Sequence, residues 1–317
     1  MRGVNAWRGR PLCLALGVFD GVHLGHREVI RATVKMSQGR NVIPAVLTFD
    51  PHPSALVDPR GAPPLLTTTD EKLELLKRLG VAMTVVVEFD QALAGMSPRR
   101  FVEETLVERL RVQCVVIGGA WRFGANGAGT PALLRRLGSE LGFSVAMAPQ
   151  VMVNGRKVSS TRIRELLLRG RIQAANELLG QPYSLEGLVI PGDGLGTELG
   201  FPTANLQLPA GKLIPADGIY ACWAGVKRLW ASVAYIGARP TFGDSRERRV
   251  EIHLVEHGLR VALLKRWVKA EFVERLRNDR RFATREDLIC QIRSDCDDAW
   301  RLLKQERLRE PSEQAGD

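Results

Sequence analysis

The chain has 317 residues, with 45 Lys and Arg against 35 Asp and Glu for a formal net charge of +10, and 45% of it is hydrophobic. That length exceeds what one hydrophobic core usually serves, so two water-soluble globular domains are expected. No run of about 18 apolar residues occurs, which argues against a membrane-spanning helix, and five scattered cysteines (Cys13, Cys114, Cys222, Cys290, Cys296) without a C-x-x-C pair argue against a disulfide framework or zinc site and for a reducing cytoplasm.

The first basic and apolar residues run directly into Gly17-Val18-Phe19-Asp20 with no small-residue cleavage site; they read as a first strand and not as a secretory signal. Strand-like runs at 12–19, 41–49, 81–89, 114–117 and 144–147 alternate with helical runs at 27–37, 70–79, 98–110 and 131–141. Such alternation predicts right-handed crossovers and a doubly wound parallel α/β sheet, which binds ligands at the carboxyl ends of its strands. Helices are expected at 161–168 and 172–179, and Gly180-Gln181-Pro182 breaks the pattern. The domain boundary is placed there, giving domains 1–183 and 184–317. Beyond it, short strands at 185–190, 218–223, 229–235 and 250–255, separated by Gly- and Pro-rich turns, predict a small antiparallel β-barrel. A helix at 284–305 would pack on that barrel, and the last dozen residues should fray.

The sharpest chemical signal is Gly17-Val18-Phe19-Asp20-Gly21-Val22-His23-Leu24-Gly25-His26, at the end of the first strand and the start of the first helix. Glycines let backbone approach an anion, and a helix start presents free N–H groups with partial positive charge. His23 and His26, three residues apart, are expected to share a helical face and to donate to phosphate oxygens; the alternative is a plain glycine turn with two exposed histidines. A second helix start carries Ser160 and Thr161, natural caps whose hydroxyls can also meet phosphate, with Arg164 on the same face. The two starts together make a clamp for a triphosphate.

In the second half, Gly192 to Asn205 is glycine-rich and includes Gly200 and Pro202. Thr203 and Asn205, two apart in an extended segment, face one side and offer oxygen atoms suited to magnesium, which takes few protein ligands beside substrate phosphates. In Val250-Glu251-Ile252-His253-Leu254 the apolar residues face one side, Glu251 and His253 the other. Glu251 could take the proton from a sugar hydroxyl or lie on a solvated strand face. The arginines at Arg99-Arg100, Arg135-Arg136 and 275–281 read as solvated helix faces. With no nucleic-acid-binding module present, small polyanions such as ATP are the expected partners rather than nucleic acid.

These motifs, with Thr48-Phe49-Asp50-Pro51-His52-Pro53, the run 65–72, and Ile236-Gly237-Ala238-Arg239-Pro240-Thr241-Phe242, resemble those of bacterial bifunctional riboflavin kinase/FMN adenylyltransferases. The resemblance implies that His23 and His26 hold ATP phosphates, with Gly17, Phe19, Asp20 and Gly25 in the nucleotide loop, and that Ser160, Thr161 and Arg164 complete the clamp. It further implies that the turn from Asp50 to Pro53 lines the flavin side. In the second domain it implies that Gly200, Pro202, Thr203 and Asn205 bind Mg-ATP, with Thr203 and Asn205 holding Mg2+, and that Glu251 activates the ribityl hydroxyl. Riboflavin would become FMN, and FMN would become FAD.

The chain departs from the family pattern in several places. Gly119 and Ala120 replace two polar residues, Leu195 and Thr197 replace arginines, Tyr235 replaces an Asn, and the acidic segment expected after Leu254 is missing. Two other readings stay open on that account: an adenylyltransferase with a degenerate kinase domain, or a non-catalytic flavin or nucleotide regulator.

Overall fold

The computed structural model describes residues 7–58, 61–238, 248–256 and 262–309. The chain forms two compact units, Met1–Ser160 and Thr161–Asp317. In the first, β1 (Leu12–Leu16) is buried along its whole length, as a central parallel strand covered on both faces must be. It sits in a five-stranded parallel sheet of order β3-β2-β1-β4-β5, with β2 (Ile43–Asp50), β3 (Met83–Glu88), β4 (Val112–Gly118) and β5 (Ser144–Ala148). Its side chains alternate between two cores. Leu12, Leu14 and Leu16 pack with Phe101, Leu106 and Leu134, while Cys13 and Ala15 pack with Val29, Ile30 and Leu76.

The helices of this unit are α1 (Leu24–Ser37), α2 (Ser54–Val57), α3 (Thr69–Arg78), α4 (Gln91–Ala94), α5 (Pro98–Arg100) and α6 (Pro131–Leu141). Their ends are set by local chemistry: α3 opens on a Thr68/Glu71 capping box, and α6 opens on Thr130 with Pro131 in its first turn and closes on left-handed Gly142. The expected helix at 98–110 is instead a short α-helical turn that continues as a π-helix, Phe101–Arg109. The sheet order reverses between β1 and β4, and the turn after β1 lies at their carboxyl ends, the switch point at which open α/β sheets generally bind ligands. A two-stranded hairpin, β6 (Met152–Val153) with β7 (Arg156–Lys157), precedes α7 (Ser160–Leu168) and α8 (Ile172–Leu179).

The second unit is a closed barrel of order β10-β11-β12-β9-β8-β13 whose neighbours all pair antiparallel. It comprises β8 (Tyr183–Ile190), α9 (Leu195–Glu198), β9 (Ala204–Gln207), β10 (Gly218–Gly225), β11 (Leu229–Ala238), β12 (Arg248–Leu254) and β13 (Trp267–Arg277), followed by α10 (Arg285–Arg309). α8 is tied to it by Asn176, whose Nδ2 donates to the Phe272 carbonyl and whose Oδ1 accepts from Tyr183 N, each at 2.8 Å. α10 packs Cys296, Ala299 and Leu303 onto Ile219, Ala221 and Val233.

In the barrel two strands, β9 and β13, go beyond what the sequence predicts, as does the β6–β7 hairpin before it. β13 alternates buried Val268, Ala270 and Phe272 with Lys269 and Glu271, but its run of Glu, Arg and Leu has the composition of a solvated helix. Barrel closure between β10 and β8 makes it a strand. Arg275 and Arg277 therefore belong to a strand and not to a helix face, and Arg277 forms a bidentate pair with buried Asp295 at 2.8 and 2.7 Å. Arg239 to Phe242 of the second-domain motif, and residues 310–317 of the tail expected to fray, lie outside the described residues.

Phe272 is fully buried, edge to face with Tyr220 at 5.5 Å between centroids. Phe272→Ala should cost about 3–5 kcal/mol, read as a lower urea midpoint for the barrel transition with the transition of the first unit unmoved.

Candidate active sites

The turn from β1 to α1 is strained and held from several sides. Phe19 and Val22 have φ of 53° and 40°, values that side chains, and β-branched ones above all, rarely adopt. Gly17 N donates to the Leu47 carbonyl at 3.2 Å. The Asp20 carboxylate, 3% exposed, accepts from the backbone of Leu66 and Thr67 and from the Thr67 hydroxyl at 3.0–3.2 Å. Thr67 Oγ1 accepts in turn from Gly21 N at 3.0 Å. Ser160 Oγ donates to the Asp20 carbonyl at 2.9 Å, which pins the first residue of α7 to this turn. Asp20 thus shapes the loop, and its side chain is spent on backbone.

The two imidazoles are arranged differently from the expected shared helix face. His23 is the N-cap of α1, and its Nδ1 accepts from His26 N at 3.2 Å; a neutral His23 therefore carries its proton on Nε2. The rings stack at 3.6 Å with 12° between planes, and the His26 ring meets Phe19 edge-on at 5.2 Å. Gly25 lies close beneath this stack, and a Cβ there would sit a tight 3.1 Å from the His23 ring. His26 Nδ1 is shut off from solvent with no hydrogen-bond partner. Burial, then the neighbouring His23 and Lys72, hold His26 well below the usual histidine pKa, so it meets a ligand as a neutral donor. α1 and α7 have no acidic residue in their first turns, which leaves both starts open to an anion.

Asp50 ends β2 in a cis bond to Pro51, at the carboxyl edge of the sheet. Exposed Gly119 and Ala120 follow β4, and Trp121 stacks on Phe123 at 4.8 Å. Thr161 and Arg164 follow Ser160 on α7 and fall in the second compact unit. Sequence reasoning assigned no role to Lys72 and Thr48. Lys72 Nζ donates to Thr48 Oγ1 at 3.3 Å, and Thr48 donates to the Val18 carbonyl at 2.8 Å. Lys72 lies inside the run 65–72, but a lysine on a capped helix reads as solvated.

The second site is a cavity of about 870 Å³ in the barrel unit, lined among others by Asp193, Thr203, Asn205, Tyr235, Glu251 and Arg277. Glu251 on β12 is in register with Asn205 on β9 and with Tyr235 on β11, which makes a polar row across three strands. Thr203 Oγ1 donates to Glu251 Oε2 at 3.3 Å. His253 Nδ1 lies 2.9 Å from the Pro202 carbonyl, and its ring meets Phe201 edge-on, so the face bearing Glu251 and His253 packs on the glycine-rich segment. Gly200 N donates to Thr197 O at 3.1 Å, closing α9. Arg249 pairs with Asp193 at 3.0 Å. A Cβ at Gly192 would fall 2.0 Å from Asn205 Nδ2, so a side chain there would displace the Asn205 amide. Burial and then Asp279 push the Tyr235 phenol up to about 12; it stays protonated and donates to Asp279 at 3.3 Å. Thr203 and Asn205 offer hard oxygen donors, which fit a magnesium-like ion shared with phosphates. Among the described residues no cluster of three His, Cys, Asp or Glu could hold a metal alone, and no helix is long and apolar enough to cross a membrane.

Comparison with known proteins assigns each half of the chain to a family. Residues 7–162 match the FAD synthetase family and residues 179–303 the riboflavin kinase family. The bifunctional riboflavin kinase/FMN adenylyltransferase of Escherichia coli (strain K12) is 36% identical over 301 residues, covering 93% of this chain and 95% of the relative. That of Bacillus subtilis (strain 168) is 34% identical, covering 92% of each. The chain belongs to the bifunctional riboflavin kinase/FMN adenylyltransferase family. A solved structure described as a macrolide-efflux protein from Streptococcus pneumoniae shares the fold, with a TM-score of 0.84, 27% identity, and coverage of 93% of this chain and 96% of that one.

The state of His26 predicts a pH dependence. Its unfolded imidazole titrates near 6.5, while the folded ring resists protonation. The group's contribution to stability is complete above that value and is lost as pH falls through the window below it, by up to ~1.4 kcal/mol per pH unit. Urea unfolding at pH 7.5 and 5.5 should show the first unit weakening, and His26→Gln should flatten that slope.

Proposed function

We propose that the protein phosphorylates riboflavin to FMN in its barrel domain and adenylylates FMN to FAD in its α/β domain, with 1–183 and 184–317 as the working halves. The observation that carries this reading is the stacked His23–His26 pair, its His26 ring buried, at an acid-free helix start, in a chain that also holds the Thr203–Asn205–Glu251 row. In the α/β domain, His23 and His26 hold ATP phosphates in a loop shaped by Gly17, Phe19, Asp20 and Gly25. Thr161 and Arg164 add hydroxyl and guanidinium donors, Ser160, its proton committed to the Asp20 carbonyl, holds the start of α7 on the turn, and Asp50 lies on the flavin side. A phosphate oxygen of FMN attacks the α-phosphorus of ATP, the bond to the β-phosphate oxygen breaks, and pyrophosphate leaves. This displacement needs positioning and charge neutralisation more than a strong base.

In the barrel, Gly200 and Pro202 shape the phosphate loop, and Thr203 and Asn205 would hold Mg2+, which neutralises phosphate charge when bound. Glu251 accepts the proton of the ribityl 5′-hydroxyl as its oxygen attacks the γ-phosphorus and ADP leaves. The Thr203 hydroxyl already occupies Oε2, so Oε1 is the oxygen presented to that proton. Both family matches and relatives named for both activities favour this reading over a degenerate kinase half or a non-catalytic regulator. The partners are ATP, riboflavin and FMN, not nucleic acid, and the setting is the cytoplasm.

His26→Ala should reduce FAD formation from FMN by roughly 100-fold or more and leave FMN formation intact, and Asn205→Ala should do the reverse. Chromatography of flavins after incubation with Mg-ATP and either riboflavin or FMN reads both rates. Loss of both activities from either variant would overturn the division of labour.

A further inference from the structure

Behind the nucleotide loop lies a buried cation that the chemistry above does not use. Lys72, in the first turns of α3, is 5% exposed, a rare setting for an ammonium group. Its Nζ reaches Thr48 Oγ1, and the Thr48 hydroxyl reaches the Val18 carbonyl. Val18 precedes Phe19, the residue with φ of 53° whose ring supports the edge of His26. A chain of two hydrogen bonds thus runs from the ammonium to the strained turn that seats an imidazole. Thr48 is itself fully buried, so neither bond competes with bulk water.

The charges around this point come from every side. Asp20 from the turn and Asp50 from the end of β2 favour the Lys72 cation, while its burial opposes it and outweighs them. His26 from α1 feels both His23 and Lys72, each of which disfavours its protonation. The Asp20 carboxylate is already committed to the backbone and hydroxyl of residues 66 and 67. An ammonium held in so dry a place projects its field further than one in water, and an anion at the start of α1 would feel it.

We propose that Lys72 is a positioning residue for nucleotidyl transfer: through Thr48 it braces the Val18–Phe19 turn beneath His26, and its desolvated charge prepares that loop for a triphosphate. The inference rests on reading the α/β domain as the ATP site for FAD formation. Lys72 touches no reacting atom; it acts through the turn and through the protonation state of His26.

The test uses the full chain with Lys72→Met, Lys72→Arg and Thr48→Val. FAD formation from FMN is measured against ATP concentration from pH 5.5 to 8.5, and His26 is titrated by imidazole NMR without nucleotide. Lys72→Met should raise KM for ATP roughly tenfold. It should also move both the acid limb of kcat/KM and the His26 titration to higher pH, because a repelling cation has gone. Lys72→Arg should restore the acid limb. Thr48→Val, which keeps the ammonium but cuts the brace, should raise KM for ATP without moving that limb. Riboflavin phosphorylation should be unchanged in all three, which reports an intact barrel.

A wild-type ATP KM and an unmoved His26 titration in Lys72→Met, with His26→Ala still abolishing FAD formation, would overturn the inference and leave the site reading standing. Should Lys72→Met not fold, a Thr48→Val variant with wild-type kinetics or a Lys72→Arg variant with a displaced acid limb would overturn it instead. Undiminished FAD formation in His26→Ala would remove the site reading itself.

Discussion

The N-terminal site depends on one buried carboxylate. Asp20 receives the backbone of Leu66 and Thr67 through its side chain and the Ser160 hydroxyl through its carbonyl. Through these bonds three segments far apart in sequence meet at the carboxyl end of β1. The left-handed conformations of Phe19 and Val22 cost of order 1–3 kcal/mol each and persist because the surrounding bonds over-determine them. With the turn fixed, His23 caps α1, its ring stacks on His26, and the only hydrogen left on a neutral His23 ring nitrogen is on Nε2. The chemistry of the site is therefore decided by backbone geometry before any ligand arrives, which is the arrangement that electrostatic preorganisation requires.

The barrel reaches a comparable result by different means. Register, and not a strained turn, places Tyr235, Glu251 and Asn205 side by side on three strands, and the glycine-rich segment lies so close over Asn205 that a side chain at Gly192 would displace the Asn205 amide. Tyr235 turns its proton toward Asp279, while Thr203 takes one oxygen of Glu251. The two candidate sites, on unrelated folds, thus share a rule: their donors are fixed by the backbone, and burial and neighbours resist protonation of His26 and loss of the Tyr235 proton.

Much of this was legible in the sequence, for reasons that differ by element. β1 could be read because a buried parallel strand is continuously apolar and here runs into a glycine turn. The two helix starts could be read because Ser160 and Thr161 are ordinary caps and paired histidines after a strand are uncommon. The capping role of His23 could not, since imidazole is not among the preferred cap residues and spacing alone places it on the helix face. Lys72 was hidden by the rule that lysines on helices are solvated; the packing of α3 on the sheet, which brings its Nζ to Thr48, buries it. β13 was hidden by its helix-forming Glu, Arg and Leu, and closure of the barrel overrode that preference. The 3.3 Å contact between Thr203 and Glu251 joins residues 48 apart, and no local pattern announces it.

The most direct measurement follows the phosphorus of ATP in the wild-type chain and in Asp20→Ala. With ATP labelled at the α-phosphorus and FMN as the flavin, label should enter FAD in the wild type and fail to do so in Asp20→Ala. With ATP labelled at the γ-phosphorus and riboflavin as the flavin, label should enter FMN in both. Full α-label transfer by Asp20→Ala would contradict the claim that this carboxylate builds the adenylylating site.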